Sequence, residues 1–133
     1  MDSSDAPREQ DLRAFIDRYC EDWNNQDLDR ILDAYDVPSF TYKYGTLHAF
    51  PNPEGRRDYV VDFIELNRKE RPATWAVVAF AVTDLGRNSS LVTARWIFRR
   101  PDRSTVWDFV DSHQLCRFEG RWKNPCSHAP RLG

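Results

Sequence analysis

The longest strand pattern in this chain is Thr105-Val-Trp-Asp-Phe-Val-Asp-Ser-His-Gln-Leu-Cys-Arg117. Side chains two positions apart on a strand project to the same face, so Trp107, Phe109, Asp111 and His113 share one side of it. Burying a carboxylate among aromatic side chains is costly unless the carboxylate is paired or used. We therefore expect this strand to form the polar floor of a pocket, although the alternation leaves open which of its faces lines that pocket.

The neighbouring segments also alternate with a period of two. Residues 91–100 predict a strand that runs through a hairpin loop at 101–104 into the long strand. Glu119-Gly120 predicts a tight turn, after which 121–123 begins another strand. The segment 75–82 is apolar on both faces, which favours a strand covered on both sides.

The first half of the chain has helical periodicity instead. Five apolar side chains fall at i, i+3, i+4, i+7 and i+11 and predict one helical stripe: Leu12, Phe15, Ile16, Tyr19 and Trp23. Residues 24–26 break this helix, Asp27 can cap a second, and Pro38 ends it. A short strand at 40–44 and a loop at 47–55 come before a third helix at about 57–69.

The two ends of the chain show neither period. Residues 124–133 contain Pro125 and Pro130, and proline cannot sit in a central strand. We expect irregular tails at 1–7 and 124–133 of a single domain over 1–133. Three helices followed by a meander predict an α+β fold, in which a curved antiparallel sheet wraps around the N-terminal helices as a cone-shaped barrel.

Composition excludes several classes of function. The formal net charge of −2 argues against a nucleic-acid partner, and the sequence has no apolar run of the roughly 20 residues that span a membrane. Cys20, Cys116 and Cys126 are an odd number without close spacing and suit a reducing cytoplasm. His48, His113 and His128 lack ligand spacing, so we expect neither a metal nor an organic cofactor.

The order of elements and several motifs resemble the nuclear transport factor 2-like superfamily, in its SnoaL-like and ketosteroid-isomerase-like branch. The motifs are Arg18-Tyr19, Trp23-Asn-Asn-Gln-Asp-Leu-Asp-Arg-Ile31, Thr93-Ala-Arg-Trp-Ile-Phe98 and Phe118-Glu-Gly-Arg-Trp122. The resemblance covers about residues 8 to 123 and implies a cystatin-like topology. It is weaker for activity, because this fold hosts isomerases, cyclases, dehydratases and non-catalytic binders.

Carried over by position, the resemblance implies a role for Tyr19 as a hydrogen-bond donor to a developing oxyanion. Lys43 stands where ketosteroid isomerases place their general-base aspartate. Their protonated carboxylic acid falls at Ser112, one residue from Asp111. The resemblance therefore points away from steroid isomerisation itself and leaves another acid–base arrangement open.

These observations predict Tyr19, Asp111 and His113 as the catalytic residues. A carboxylate next to an imidazole can set its tautomer and basicity, which suits general acid–base chemistry near neutral pH. A structural Asp–His contact and a packing role for Tyr19 are the alternatives. The predicted substrate-binding side chains, each of which could instead be core packing, are Phe15, Trp23, Tyr42, Tyr44, Phe63, Trp96 and Phe109. Tyr42 and Tyr44 should face the pocket, and Lys43 should face away.

The leading hypothesis is a cofactor-free isomerase, cyclase or dehydratase acting on a small hydrophobic molecule that bears a carbonyl. The alternatives are a non-catalytic ligand-binding module and an interaction module that forms a homodimer through its sheet. The segment 75–82, apolar on both faces, favours the dimer.

Overall fold

A computed structural model describes residues 5–35, 38–43 and 45–129. Its helices and strands are, in chain order, α1 Asp5–Asn24, α2 Leu28–Asp33, β1 Ser39–Lys43, β2 Thr46–Phe50, α3 Pro53–Arg68, β3 Thr74–Asp84, β4 Ser89–Arg99, β5 Thr105–Phe118 and β6 Arg121–Ala129. Three helices, with β1 and β2 between the second and the third, combine with a curved six-stranded sheet, which confirms the predicted α+β class.

The helix boundaries follow from local chemistry. Helix α1 ends at Asn24, and Gln26 has a positive φ of 53°, so the predicted break is confirmed. The Asp27 side chain accepts from the Arg30 amide and caps α2. Asn52 caps α3 in the same way, and Pro53 occupies its first turn. Two predicted boundaries were wrong, because α3 begins before residue 57 and α1 already includes residues 5–7.

The strands lie in the order β2-β1-β6-β5-β4-β3, with β1 and β6 parallel and the other pairs antiparallel. The sheet is therefore open, with β2 and β3 at its edges, rather than a closed barrel. Two predictions need correction here. Residues 46–50 form a strand where a loop was expected, and β3 is an edge strand whose Val78 is 44% exposed rather than covered on both sides.

The prediction of an irregular tail from residue 124 was also wrong, since β6 runs to Ala129 in the middle of the sheet. Its register with β5 shifts between Gln114 and Cys116, so that Asn124 and Pro125 together oppose Leu115. Such a bulge interrupts the ladder locally and tolerates a residue without an N–H group. The backbone N–H of Asn124 donates instead to the backbone carbonyl of Ala34, at 2.8 Å.

The core lies between α1 and the inner face of the sheet. Leu12 and Ile16 of the α1 stripe are buried there, together with Val92 and Leu115 from the strands. Large aromatic side chains fill the β3–β5 end of this layer. In the parts of the chain that the structure describes, no helix is long and apolar enough to cross a membrane.

Candidate functional site

A cavity of about 90 Å³ opens between the helices and the inner face of the sheet. An apolar cavity of about 150 Å³ is known to accept benzene, so this smaller space is sized for a molecule smaller than benzene or for one end of a larger one. Most of its lining is aromatic, contributed by Tyr19, Trp23, Tyr35, Tyr59, Phe63, Trp75, Trp96 and Phe109. The polar lining is Thr41, Lys43, Asp111, His113, Ser127 and His128.

A chain of hydrogen bonds runs along one wall of the cavity. The Asp111 carboxylate accepts from Trp96 Nε1 at 2.8 Å, and its second oxygen lies 3.0 Å from His113 Nε2. His113 Nδ1 is 2.9 Å from the side-chain nitrogen of Asn124. Both imidazole nitrogens are thus engaged. The side chain of Asp111 is 13% exposed and that of His113 only 4%, so the carboxylate is the member of this pair with room for a ligand.

The surroundings of His113 shift its pKa. Burial lowers the pKa of His113, but the charge of Asp111 and the hydrogen bonds to Asp111 and Asn124 outweigh it, so the pKa is raised above its ordinary value. The Asn124 side-chain nitrogen donates to Nδ1, so the ring proton on Nε2 is donated to the Asp111 carboxylate. This arrangement orients Asp111 in an otherwise apolar wall.

Two tyrosine hydroxyls meet opposite this wall. Tyr19 of α1 and Tyr35, just after α2, form a short, buried hydrogen bond. Burial is the main cause that raises the pKa of each phenol, with the neighbouring Tyr35 adding to the effect on Tyr19. Both therefore remain neutral at ordinary pH. Since one shared bond uses one of two hydroxyl hydrogens, the pair has one hydrogen left for a ligand oxygen.

The Tyr19 ring also sets the position of the acid–base wall. Its centroid is 6.0 Å from that of His113 and 6.1 Å from that of Trp96, edge to face in both cases. The hydroxyl pair and the carboxylate therefore belong to one packed cluster.

The strand β1 contributes a second polar region. Arg56 of α3 is 4% exposed and lies between the rings of Tyr35 and Phe50, 4.1 Å from each centroid. Its guanidinium donates to Ser39 Oγ and, at 3.0 Å, to Thr41 Oγ1. The Lys43 ammonium lies 4.4 Å from the Phe63 ring centroid, at the cavity.

The structure brings most of the sequence-predicted site residues to this one cavity: Tyr19, Trp23, Phe63, Trp96, Phe109, Asp111 and His113. Two others lie elsewhere. Phe15 stacks on Tyr19 but lines a separate cleft on the other side of α1, and Tyr42 is 45% exposed and stacks on His128. Tyr44 lies outside the described residues.

The expected orientation of β1 is reversed. Phe40 and Tyr42 point outward, whereas Ser39, Thr41 and Lys43 point inward. The aromatic side chains had suggested the opposite. The inner face takes hydroxyls at this point because the buried Arg56 needs acceptors there, and α3 lay too far along the sequence for the local pattern to reveal that need.

Sequence reasoning also missed Tyr35, Asn124 and Ser127. Tyr35 had a signal, since it closes the apolar stripe of α2 and has the same hydroxyl that made Tyr19 a candidate. Asn124 and Ser127 had none, because two prolines concealed the strand that holds them. Within the described ranges, no three His, Cys, Asp or Glu side chains come together as metal ligands.

Residues 8–125 match the family described as NTF2-like protein (DUF6841), and the chain belongs to this family. Comparison with curated protein sequences finds no match. Among solved structures, the chain is similar to an NTF2-like protein of unknown function from Pseudomonas putida KT2440, with a TM-score of 0.78, 14% identity, and coverage of 94% of this chain and 87% of that one.

Two further structures extend this likeness. One is a protein of unknown function with a cystatin-like fold from Nostoc punctiforme, with a TM-score of 0.77, 7% identity, and coverage of 94% and 90%. The other is the beta subunit of the benzoate 1,2-dioxygenase from Burkholderia mallei, with a TM-score of 0.70, 16% identity, and coverage of 93% and 89%. At such identities the likeness is one of fold, which confirms the cystatin-like topology.

Proposed function

We propose that this NTF2-like protein is a small-molecule enzyme that moves a proton on a hydrophobic, carbonyl-bearing substrate without a cofactor, in the manner of an isomerase, cyclase or dehydratase. The observation that carries the proposal is the Asp111 carboxylate. It lies in an aromatic cavity wall, fixed by Trp96 and His113, and the Tyr19–Tyr35 hydroxyl pair lines the same cavity.

In the proposed reaction, Asp111 removes a proton from the carbon next to the substrate carbonyl. The electron pair moves onto the carbonyl oxygen, which receives a hydrogen bond from the Tyr19–Tyr35 pair. Return of the proton from Asp111 to a different carbon completes an isomerisation; in a dehydration, the electron pair returns from the oxygen, the bond to a β-hydroxyl breaks, and that hydroxyl takes the proton from Asp111 and leaves as water. His113 is a positioning residue, since both its nitrogens are engaged and its hydrogen bond holds the Asp111 carboxylate in place.

The test measures exchange of a substrate hydrogen for deuterium and does not require the natural substrate to be known. Monocyclic ketones and enones are incubated with the protein in deuterium oxide, and loss of the α-proton signal is followed by NMR. We expect exchange in the wild type, a loss of about 10²- to 10⁴-fold in Asp111→Asn, and a loss of about 10²- to 10³-fold in Tyr19→Phe. Circular dichroism checks that each variant folds. Exchange that persists in Asp111→Asn would show that the mechanism is wrong.

A non-catalytic binding module is the second candidate, favoured by the small and largely apolar cavity. It predicts binding of phenols or monocyclic ketones with no exchange above the solvent rate. Quenching of the lining tryptophans Trp23, Trp75 and Trp96 reports that binding.

A second copy of the chain is the proposed partner. The outer face of the sheet exposes Val78 of β3 and Val110 of β5, which are 44% and 48% exposed. A similar fold is found in the beta subunit of the benzoate 1,2-dioxygenase, and a protein called a subunit is part of an assembly. Sedimentation equilibrium should give twice the mass of 15.7 kDa.

The thiols of Cys20, Cys116 and Cys126 are free, which suits the proposed cytoplasmic location.

A further inference from the structure

Thr41, Ser127 and His113 form one row across three neighbouring strands. Thr41 of β1 pairs with Ser127 of β6, and Ser127 pairs with His113 of β5. Neighbouring strands are about 5 Å apart, and all three side chains line the cavity. The two hydroxyls therefore lie directly beside the acid–base wall that His113 forms with Asp111.

The hydrogen bonds of these two hydroxyls leave one hydrogen unused. Arg56 Nη1 donates to Thr41 Oγ1 at 3.0 Å, and a guanidinium can only donate. The two hydroxyl oxygens are 2.9 Å apart and share one further hydrogen bond. Among the residues that the structure describes, neither hydroxyl donates to any other group. Whichever of the two donates the shared bond, the other keeps its hydrogen, so the Thr41–Ser127 pair has one O–H group left for a ligand oxygen.

The cavity thus has two hydroxyl pairs, each with one hydrogen to donate, and both lie next to His113. The Tyr19 ring centroid is 6.0 Å from that of His113, and Ser127 is the partner of His113 on the adjacent strand. Because the cavity measures only about 90 Å³, a ligand that uses both donors has its two oxygens a few bonds apart. A hydrocarbon group placed against either pair would leave a buried donor without an acceptor, which is unfavourable.

We infer that the substrate class is a small ketone with a second oxygen one or two carbons from the carbonyl, or the same grouping at one end of a larger molecule. This inference rests on the proposed function, which places the carbonyl at the Tyr19–Tyr35 pair and the proton transfer at Asp111. The second oxygen accepts from the Thr41–Ser127 pair. Where that oxygen is a β-hydroxyl, the same hydrogen bond holds the group that leaves in a dehydration.

The test compares three ketones of the same length. 2-Pentanone has no second oxygen, whereas methoxyacetone has an oxygen in place of one CH₂ group and 4-hydroxy-2-butanone has a hydroxyl in place of the terminal CH₃ group. Dissociation constants are measured by NMR titration of the labelled protein. We expect at least one oxygenated ketone to bind to the wild type about three- to tenfold more tightly than 2-pentanone, the range of one hydrogen bond. Equal or weaker binding of both, or no binding of any of the three, would overturn the inference.

A double variant shows whether the hydroxyl pair causes the preference. Thr41→Val/Ser127→Ala removes both hydroxyl groups, so it should abolish the preference and leave the affinity for 2-pentanone within about twofold of the wild type. Either single substitution keeps one hydroxyl hydrogen and should reduce the preference less. A preference that survives the double substitution would contradict the inference. Circular dichroism checks the folding of each variant, and the ligand comparison on the wild type remains decisive if the double variant does not fold.

The outer face of the same sheet offers a matched control. Thr93 of β4 and Ser112 of β5 are directly opposite each other and alternate with buried or cavity-lining neighbours, so their side chains point away from the cavity. Thr93→Val/Ser112→Ala makes the same two chemical changes there and should retain the preference for the oxygenated ketone. Loss of the preference in this control would mean that the hydroxyl pair in the cavity is not its cause.

The deuterium-exchange test separates this inference from the proposed reaction. A preference for the oxygenated ketones without exchange supports the binding site and rejects the chemistry. Exchange of simple ketones without any preference for a second oxygen supports the chemistry and rejects this substrate class.

Discussion

The two ends of the inner sheet face differ sharply, although β5 runs through both. At the end near β3, rings stack closely, with centroids 4.5 Å apart for Trp75 and Phe98 and 5.3 Å apart for Phe98 and Trp107. At the end near β1 and β6, the same strand presents Asp111 and His113, which are held mainly by hydrogen bonds, beside one edge-to-face contact of His113 with Tyr19. Only the step from Phe109 to Asp111 separates the two regions.

The difference shows how a small domain can support a buried charged group. Aromatic packing contributes stabilising area without a desolvation cost, whereas buried polar groups at best offset theirs. The stacked end can therefore stabilise the fold. The polar end contains buried polar side chains whose hydrogen bonds at best offset their desolvation. Substitutions in the first region should act on folding, and substitutions in the second should act on protonation and chemistry.

The largest expected effect is a loss of folding stability after a substitution at the aromatic end. Trp75 is 7% exposed, contacts five neighbouring rings and donates through Nε1 to Asn67. Trp75→Ala should lower the free energy of unfolding by about 3–5 kcal/mol, because it leaves a cavity and an unpaired amide. Urea denaturation followed by circular dichroism measures this loss. A loss below about 1 kcal/mol would mean that the aromatic end does not carry the stability of the fold.

The two ends were also unequally predictable from the sequence. The aromatic end follows from alternation within single strands, and β4, the 101–104 loop and β5 form as the pattern indicates. The turn at Glu119-Gly120 forms too, with positive φ at both residues. Local periodicity is sufficient where each strand pairs with its neighbour in the chain.

The polar end depends on pairing between distant segments. Its strand β6 contacts β1 in parallel, 86 positions away, and contains Pro125 at a bulge. A bulge removes the alternation on which strand prediction relies, and the same bulge directs Asn124 toward His113. Asp111 and His113 could be proposed from the sequence because they interrupt an apolar pattern. Their hydrogen-bonding partner on β6, Asn124, could not be proposed in this way.

A smaller effect is expected on the pH dependence of the polar end. The folded state raises the pKa of His113, so its contribution to stability is fully present below the unfolded value of about 6.5 and is lost as the pH rises through the folded pKa. In Asp111→Asn the charge that opposes desolvation is gone. The pKa of His113 should then fall below that of the wild type, and the stability of the variant should no longer decline over this window.

An NMR titration of the imidazole protons measures this shift, with the signal assigned through His113→Gln. Asp111→Asn should also cost about 1–3 kcal/mol of stability at pH 6, less than the loss expected from Trp75→Ala. An unchanged pKa in Asp111→Asn would mean that the pair is not electrostatically coupled, and the assignment of His113 as a positioning residue would be wrong.

The smallest effect is expected on the outer face of the same strand, where Asp108 provides a matched control for Asp111. Asp108 and Asp111 lie three residues apart on β5, but Asp108 projects outward and forms a bidentate ion pair with Arg95, at 2.9 and 2.7 Å. Exposed ion pairs contribute little, because solvent screens both charges. Asp108→Asn should therefore leave α-proton exchange within about twofold of the wild type and the urea midpoint unchanged. The same chemical change at Asp111 should affect both.

If Asp108→Asn were to impair exchange as strongly, loss of a negative charge anywhere on β5 would account for the result, and the contrast between the faces of this strand would no longer support Asp111 as the base.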